Sequence, residues 1–297
     1  MKKILSFSVL ATILTLGSFL PLATAHPLIA VIHDGIHFSE SVCPYDGGLF
    51  ISNFGSDEMS PRIGENKGYI LYRKDGNNKT IVPANGSLHK PTGMAVKDGF
   101  LFVCDETRLL VYNLKNLSDK PQTVHFPKED KVLNALALDG NRLYISVTDT
   151  GHIYTLDISN PNNMASVKPE KWLDISGPNG MAISSGVLYI ATIPTDYSTV
   201  QPNNVIYCVR DLNTPTAEKF LDTPGLYDGA ALSDDGTTLY LSDWKTASVT
   251  AVDVVTKKVR IIYAEEGTGP ADIAQADGVL YVPDLPNHRI IEIDVKK

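Results

Sequence analysis

The chain has 297 residues, 43% of them hydrophobic and 20% charged, with a formal net charge of −8. No basic patch accompanies that acidity, which argues against nucleic acid or an anionic membrane surface as a partner while accommodating a cation. The three cysteines, Cys43, Cys104 and Cys208, allow at most one internal disulfide, and no Cys or His pair has zinc-ligand spacing; neither a disulfide-stapled scaffold nor a zinc module is expected.

The first 25 residues read as a secretory signal. Lys2 and Lys3 form a basic start, an apolar run follows, and Ala23-Thr24-Ala25 has the small-x-small form of a cleavage site. The alternative is an uncleaved membrane anchor. Ser, Thr and Gly interrupt the run and Pro21 precedes its exit, which favours cleavage. No cysteine follows the cleavage site to take a lipid. The expectation is an exported protein, periplasmic or secreted, with no membrane contact after cleavage and residues 26–297 forming a single domain.

After an apolar stretch at Pro27 to Ile32, six segments superimpose. They begin at Glu40 (ESVCPYDGGLFISN), Thr92 (TGMAVKDGFLFVCD), Asn134 (NALALDGNRLYISV), Asn179 (NGMAISSGVLYIAT), Asp228 (DGAALSDDGTTLYLSD) and Ala271 (ADIAQADGVLYVPD). Each reads as a short strand of small and apolar residues, a turn such as Asp139-Gly140 or Ser185-Gly186, and a Leu-Tyr-Ile type strand. Two further strand-like runs follow, and helical periodicity is nearly absent. Four strands repeated every 45 residues or so is the pattern of a β-propeller, here with six blades and an all-β fold. A β-sandwich has no reason to repeat six times in register. The last copy has three strands before the chain ends, so Pro27 to Ile32 is expected to supply the fourth and close the ring.

The first positions of the six copies then surround one mouth of the central channel: Glu40, Thr92, Asn134, Asn179, Asp228 and Ala271. Two carboxylates and two amides converge, with oxygen donors and neither thiol nor imidazole. This is the chemistry of a hard cation of the calcium type. The structural alternative is that Asn179-Gly180 and Asp228-Gly229 are ordinary turn residues. Glu40 is not a turn former. A second column, Asn53, Asp105, Val147, Thr192, Asp243 and Asp284, ends the second strands and is expected to accept hydrogen bonds from the loops that follow.

Two insertions, 54–67 and 193–204, fall on the ring's face, as lids or as surface decoration. Phe54, Tyr197, Tyr227 and Trp244 are expected to wall a pocket there. His37, His89, His152 and His288 lie in loops on the same face, as candidate bases or as exposed loop residues.

With the ring in place, the chain resembles the gluconolactonase/regucalcin superfamily of six-bladed propellers, with paraoxonases and strictosidine synthases as more distant relatives. The resemblance implies that Glu40, Asn179 and Asp228 hold a divalent cation, calcium with zinc or manganese as alternatives. It places Asn134 beside metal and substrate and implies that Asp228 activates water for hydrolysis of a lactone or related ester. Thr92, His37 and His89 complete the expected substrate-binding set, and the working form is a monomer acting on a small molecule. Two departures stand out. The family's Glu-Gly-Pro is here Glu40-Ser41-Val42, and its Arg-Pro-Asn-Asp is here Val132-Leu133-Asn134-Ala135. The substrate-gripping arginine has become Val132, which turns the site away from a sugar-acid lactone. A non-catalytic binding propeller that retains the cation is the second functional expectation.

Overall fold

The computed structural model describes residues 26–62 and 65–296; the secretory signal expected at 1–25 lies outside them. Among the described residues, strands assemble into six four-stranded antiparallel sheets, and the only helical turns are two 3-10 segments, Pro161–Ser166 and Leu285–Asn287. The sheets are the blades, one to six in chain order from Val42. Their innermost strands are Val42–Tyr45, Pro91–Lys97, Leu133–Asp139, Pro178–Ser184, Tyr227–Leu232 and Ala274–Ala276. Blade six completes itself across the ends of the chain, with Leu28–Ile32 pairing antiparallel to Arg289–Asp294 in the register Leu28↔Ile293 to Ile32↔Ile290.

Burial follows position in the blade. The second strands are the most buried, Phe100–Asp105 and Thr238–Asp243 at every residue and the other four at all but one or two, because a neighbouring blade covers each face. They accordingly read as unbroken apolar runs. The outer strands alternate or are exposed, as in Asn77–Val82 and Val259–Ala264. The core is therefore a set of wedges between blades. One joins Phe102 and Leu109 of blade two to Leu143 and Ile145 of blade three; another joins Tyr189 and Phe220 of blade four to Leu239 and Leu241 of blade five. Each fully buried Leu or Phe contributes about 1.5–3 kcal/mol of transfer free energy to this packing. The hairpins turn where the sequence indicated, with Ser185 and Gly186 at φ 51° and 74°, the left-handed pair that a two-residue hairpin loop requires. Cys43, Cys104 and Cys208 are all buried and unpaired.

Candidate functional site

The ring positions owe their orientation to a bulge repeated in four blades. In blade three, Leu133 pairs with Val147 and the next pair is Leu136 with Ile145, so three steps on the inner strand match two on its neighbour. The same shift occurs after Pro91, Pro178 and Tyr227. It frees Thr92, Asn134, Asn179 and Asp228 from the alternation of the ladder and re-aims their side chains. Asn179-Gly180 and Asp228-Gly229 are thus inside strands, not in turns. The glycines serve close approach: a Cβ on Gly180 would stand 2.3 Å from the Asp228 carbonyl oxygen, and one on Gly229 2.6 Å from that of Ala271. Glu40 arrives differently. It precedes the first strand of its blade, and its carbonyl accepts from the Asp272 amide at 2.9 Å, which ties blade one to blade six.

Four oxygens of this ring are buried without a hydrogen-bond partner: Glu40 Oε2, Asn134 Oδ1, Asn179 Oδ1 and Asp228 Oδ1. Such atoms are uncommon in folded proteins, and four on one ring make it the candidate site for a polar ligand or an ion. The second oxygen of Asp228 is satisfied, accepting from Trp244 Nε1 at 2.7 Å. Burial, followed by the charges of Asp228 and Asp272, holds the Glu40 carboxyl well above its usual range. Burial also raises Asp228 to about 7, partly offset by hydrogen bonds from Trp244 and Asn179. Among the described residues no three His, Cys, Asp or Glu side chains make a metal cluster by themselves. The donor set here is half amide, and a mixed set of carboxylate and amide oxygens fits a hard cation.

The ring forms the floor of a cavity of about 460 Å³. Phe54, Ile193, Leu226, Trp244 and Leu285 wall it, and both insertions roof it through Glu58 to Arg62 and through Asp196 and Tyr197. The roof is anchored from two sides. Arg62 donates to the Thr195 carbonyl and lies 5.2 Å over the Tyr197 ring, joining one insertion to the other. Lys90, fully buried, reaches Ser56 Oγ and the Glu58 carbonyl and sits 4.5 Å over the Phe54 ring. Its burial lowers its pKa to about 8.

Several expected residues stand elsewhere. Tyr227 packs between blades four and five and donates to the Thr223 carbonyl at 3.1 Å; its neighbour Leu226 faces the cavity instead. The exchange follows from the alternation of side chains just before the bulge. Thr92 is buried and donates to the Leu133 carbonyl at 2.8 Å. His89 pairs with Glu106 at 2.8 Å and His152 with Asp130 at 3.1 Å, while His37 and His288 lean on each other at 4.7 Å between ring centroids. Neither Thr92 nor any of these histidines is among the residues lining the cavity. Val132, where the family's arginine was expected, is buried.

The second column accepts from the following loop as expected, Asp105 from Arg108, Asp243 from Lys245 and Thr246, and Asp284 from Asn287 and Arg289. It also reaches back: Asn53, Asp105, Asp243 and Asp284 accept from the loop that enters the same blade, from the amides of His37, His89, Leu226 and Gly269 at 2.8–3.0 Å. They fix the backbone two or three residues before each ring position. In blade three, where the column holds Val147, Asp149 supplies this contact to the Val132 amide at 3.1 Å. Asp272 is a further carboxylate that the repeat alignment missed, one residue past Ala271. It is raised to about 7 by burial and by Asp228, accepts from Ser41 Oγ at 3.0 Å, and lines a groove at the inner strands' far end.

The family model for the SMP-30/gluconolactonase/LRE-like region matches residues 97–284. That span contains Asn134, Asn179 and Asp228; Glu40 lies before it. No curated protein matches the chain. Among solved structures, a chain of the nidogen/laminin complex is similar with a TM-score of 0.62 at 15% identity, over 78% of this chain and 88% of that one. A catalytically inactive virginiamycin B lyase from Staphylococcus aureus with quinupristin has a TM-score of 0.60 at 13% identity, over 90% and 98%. A streptogramin B lyase has a TM-score of 0.60 at 11% identity, over 88% and 94%. At such identities the likeness concerns the fold alone.

Proposed function

The chain belongs to the SMP-30/gluconolactonase/LRE-like family, and from that premise we propose that it is an exported, divalent-cation-dependent hydrolase of lactones or related esters. It acts as a monomer on a small-molecule substrate, without nucleic acid or membrane. The observation that carries this reading is the set of four buried, unpartnered oxygens on the floor of an apolar cavity. Glu40, Asn179 and Asp228 would hold the cation, calcium or else zinc or manganese, with Asn134 beside them. The bound cation would supply Lewis acidity toward the substrate carbonyl.

The chain's own residues account for the rest. Trp244 holds Asp228 by one carboxylate oxygen and so fixes the plane of the other. Asp228 takes the proton of the attacking water, whose oxygen bonds to the carbonyl carbon. That proton passes to the ring or alkoxy oxygen as its bond to carbon breaks, leaving a hydroxy acid or an acid and an alcohol. No histidine lines the cavity to compete for the role. The apolar wall excludes bulk water from the reacting carbon.

A panel of lactones and aryl esters, assayed with calcium, zinc and manganese in turn, tests the reading. Turnover in wild type that is lost in Asp228→Asn at unchanged metal content supports it. No turnover with any of the three ions favours a second reading, a cation-holding propeller that binds and does not cut, for which the buried Val132 in place of the family's arginine already speaks. The N-terminal sequence of the mature protein, expected to start at His26, tests the export step.

A further inference from the structure

On the reading above, the cation on the floor takes one lone pair of an entering carbonyl oxygen, and the other is open to a donor from another direction. Tyr197 is placed to be that donor. It lies in the 193–204 insertion, closing a turn in which its amide donates to the Pro194 carbonyl at 2.9 Å. Its φ is +59°, a conformation in which a bulky aromatic residue is a genuine outlier. Outliers of this kind persist where the surroundings hold them, and they cluster at ligand clamps and active sites.

Two contacts hold this one. Arg62 lies over the ring from the opposite insertion, and Asp196 Oδ1 accepts from the Ser198 amide and hydroxyl at 3.1 and 2.6 Å, fixing the turn on both sides of Tyr197. A loop tyrosine ordinarily turns its hydroxyl to water. Here Tyr197 lines the cavity with its hydroxyl buried and with no partner at hydrogen-bond geometry. A polar neighbour, the Thr148 hydroxyl, gives its own proton to the Pro178 carbonyl at 2.9 Å. Burial, with the charges of Asp228 and Glu40, holds the phenol well above its usual pKa, so it remains a donor across the working pH range. The apolar lining of the cavity is Phe54, Ile193, Leu226, Trp244 and Leu285. They suit a flat apolar body and would strand the hydroxyls of a sugar.

We propose that Tyr197 is a substrate-binding residue whose Oη donates a hydrogen bond to the carbonyl of an aromatic or similarly flat, apolar ligand held between Trp244 and Phe54. The inference rests on reading this cavity as the place where a carbonyl compound binds, and it specifies the class.

The test uses two probes that cannot be hydrolysed, 1-indanone and indane, which share a bicyclic body and differ by one carbonyl. Calorimetric titration of the calcium-loaded, full-length mature protein compares wild type with Tyr197→Phe, which keeps the ring and removes the hydroxyl. The expected result is an affinity for 1-indanone about tenfold lower in the variant, with indane changed less than twofold. Equal loss for both probes, no loss for either, or no binding of 1-indanone by wild type overturns the proposal. Because neither probe reacts, this outcome is separate from that of the hydrolysis panel. Tyr197-dependent binding without any lactone cleavage removes the hydrolase reading alone, and lactone cleavage with Tyr197-independent binding of 1-indanone removes this inference alone.

Discussion

Blades two and five share a bulge at the same place, yet their ring residues meet different ends. Thr92 donates to the Leu133 carbonyl and is spent inside the scaffold, whereas Asp228 keeps one oxygen for Trp244 and leaves the other bare. The glycine that follows each is needed for the same reason, the close passage of the next blade's backbone. The bulge is therefore a device of the fold, and the chemistry depends on which side chain it turns inward. Four blades put unpartnered oxygens on the channel; the other two put a satisfied threonine and an alanine there.

This contrast can be broken most strongly through the backbone behind Asp228, where blade four passes against blade five. Gly180→Ala drives a Cβ to 2.3 Å from the Asp228 carbonyl oxygen and is expected to destabilise the fold by about 3 kcal/mol, read as a lower urea midpoint at unchanged slope. Slightly smaller is the effect of the ion. At a hundredfold excess over its dissociation constant, calcium is expected to stabilise wild type by about 2.7 kcal/mol in thermal unfolding, and Asp228→Asn is expected to lose most of that response. An identical melting curve for wild-type protein with and without the ion would refute the cation site.

Acidity sharpens the comparison further. In the cation-free protein, folding holds Glu40 and Asp228 above their unfolded pKa values. Well below about pH 4 both states carry these two protons, and the pair costs the fold nothing. As pH rises toward about 7 the unfolded chain ionises first, and stability is lost, on the order of 2 kcal/mol once water at the cavity mouth is allowed for. Calcium should remove that loss, since it favours the ionised carboxylates. Melting temperatures of dialysed and calcium-loaded protein at pH 4.5 and 7.5 provide the check. The smallest effect belongs to the inert blade: Thr92→Val gives up one buried hydrogen bond, costs about 1 kcal/mol, and leaves the calcium response intact.

The repeat phase was legible because every copy carries the same leucine in its second strand, and the closing strand because Pro27 to Ile32 was the one apolar segment without a blade. The meeting of Glu40, Asn134, Asn179 and Asp228 at one cavity was legible too, since propeller topology alone brings first positions together. What escaped depends on side-chain direction. Asn179-Gly180 has the composition of a turn, and only the passage of blade five against it makes it a bulge. Tyr227 and Leu226 exchange roles because inward and outward alternate across a single residue. Asp272 was hidden by being one position out of phase. The clamp of Arg62 on Tyr197 joins residues far apart in the chain and was invisible to any local pattern.

The seam between Leu28–Ile32 and Arg289–Asp294 has a kinetic consequence. In a chain made from its N-terminus, Leu28–Ile32 emerges long before its partner Arg289–Asp294 and must wait for it. Until then Leu28, Ile29 and Val31 sit on an unpaired edge, and all three remain substantially exposed even in the finished protein. Closing so long a loop is slow, although its entropy rises only logarithmically with length. The open edge is thus exposed to aggregation for as long as the closure takes, and a covalent link across the closed seam would keep it from reopening without altering a residue of the cavity.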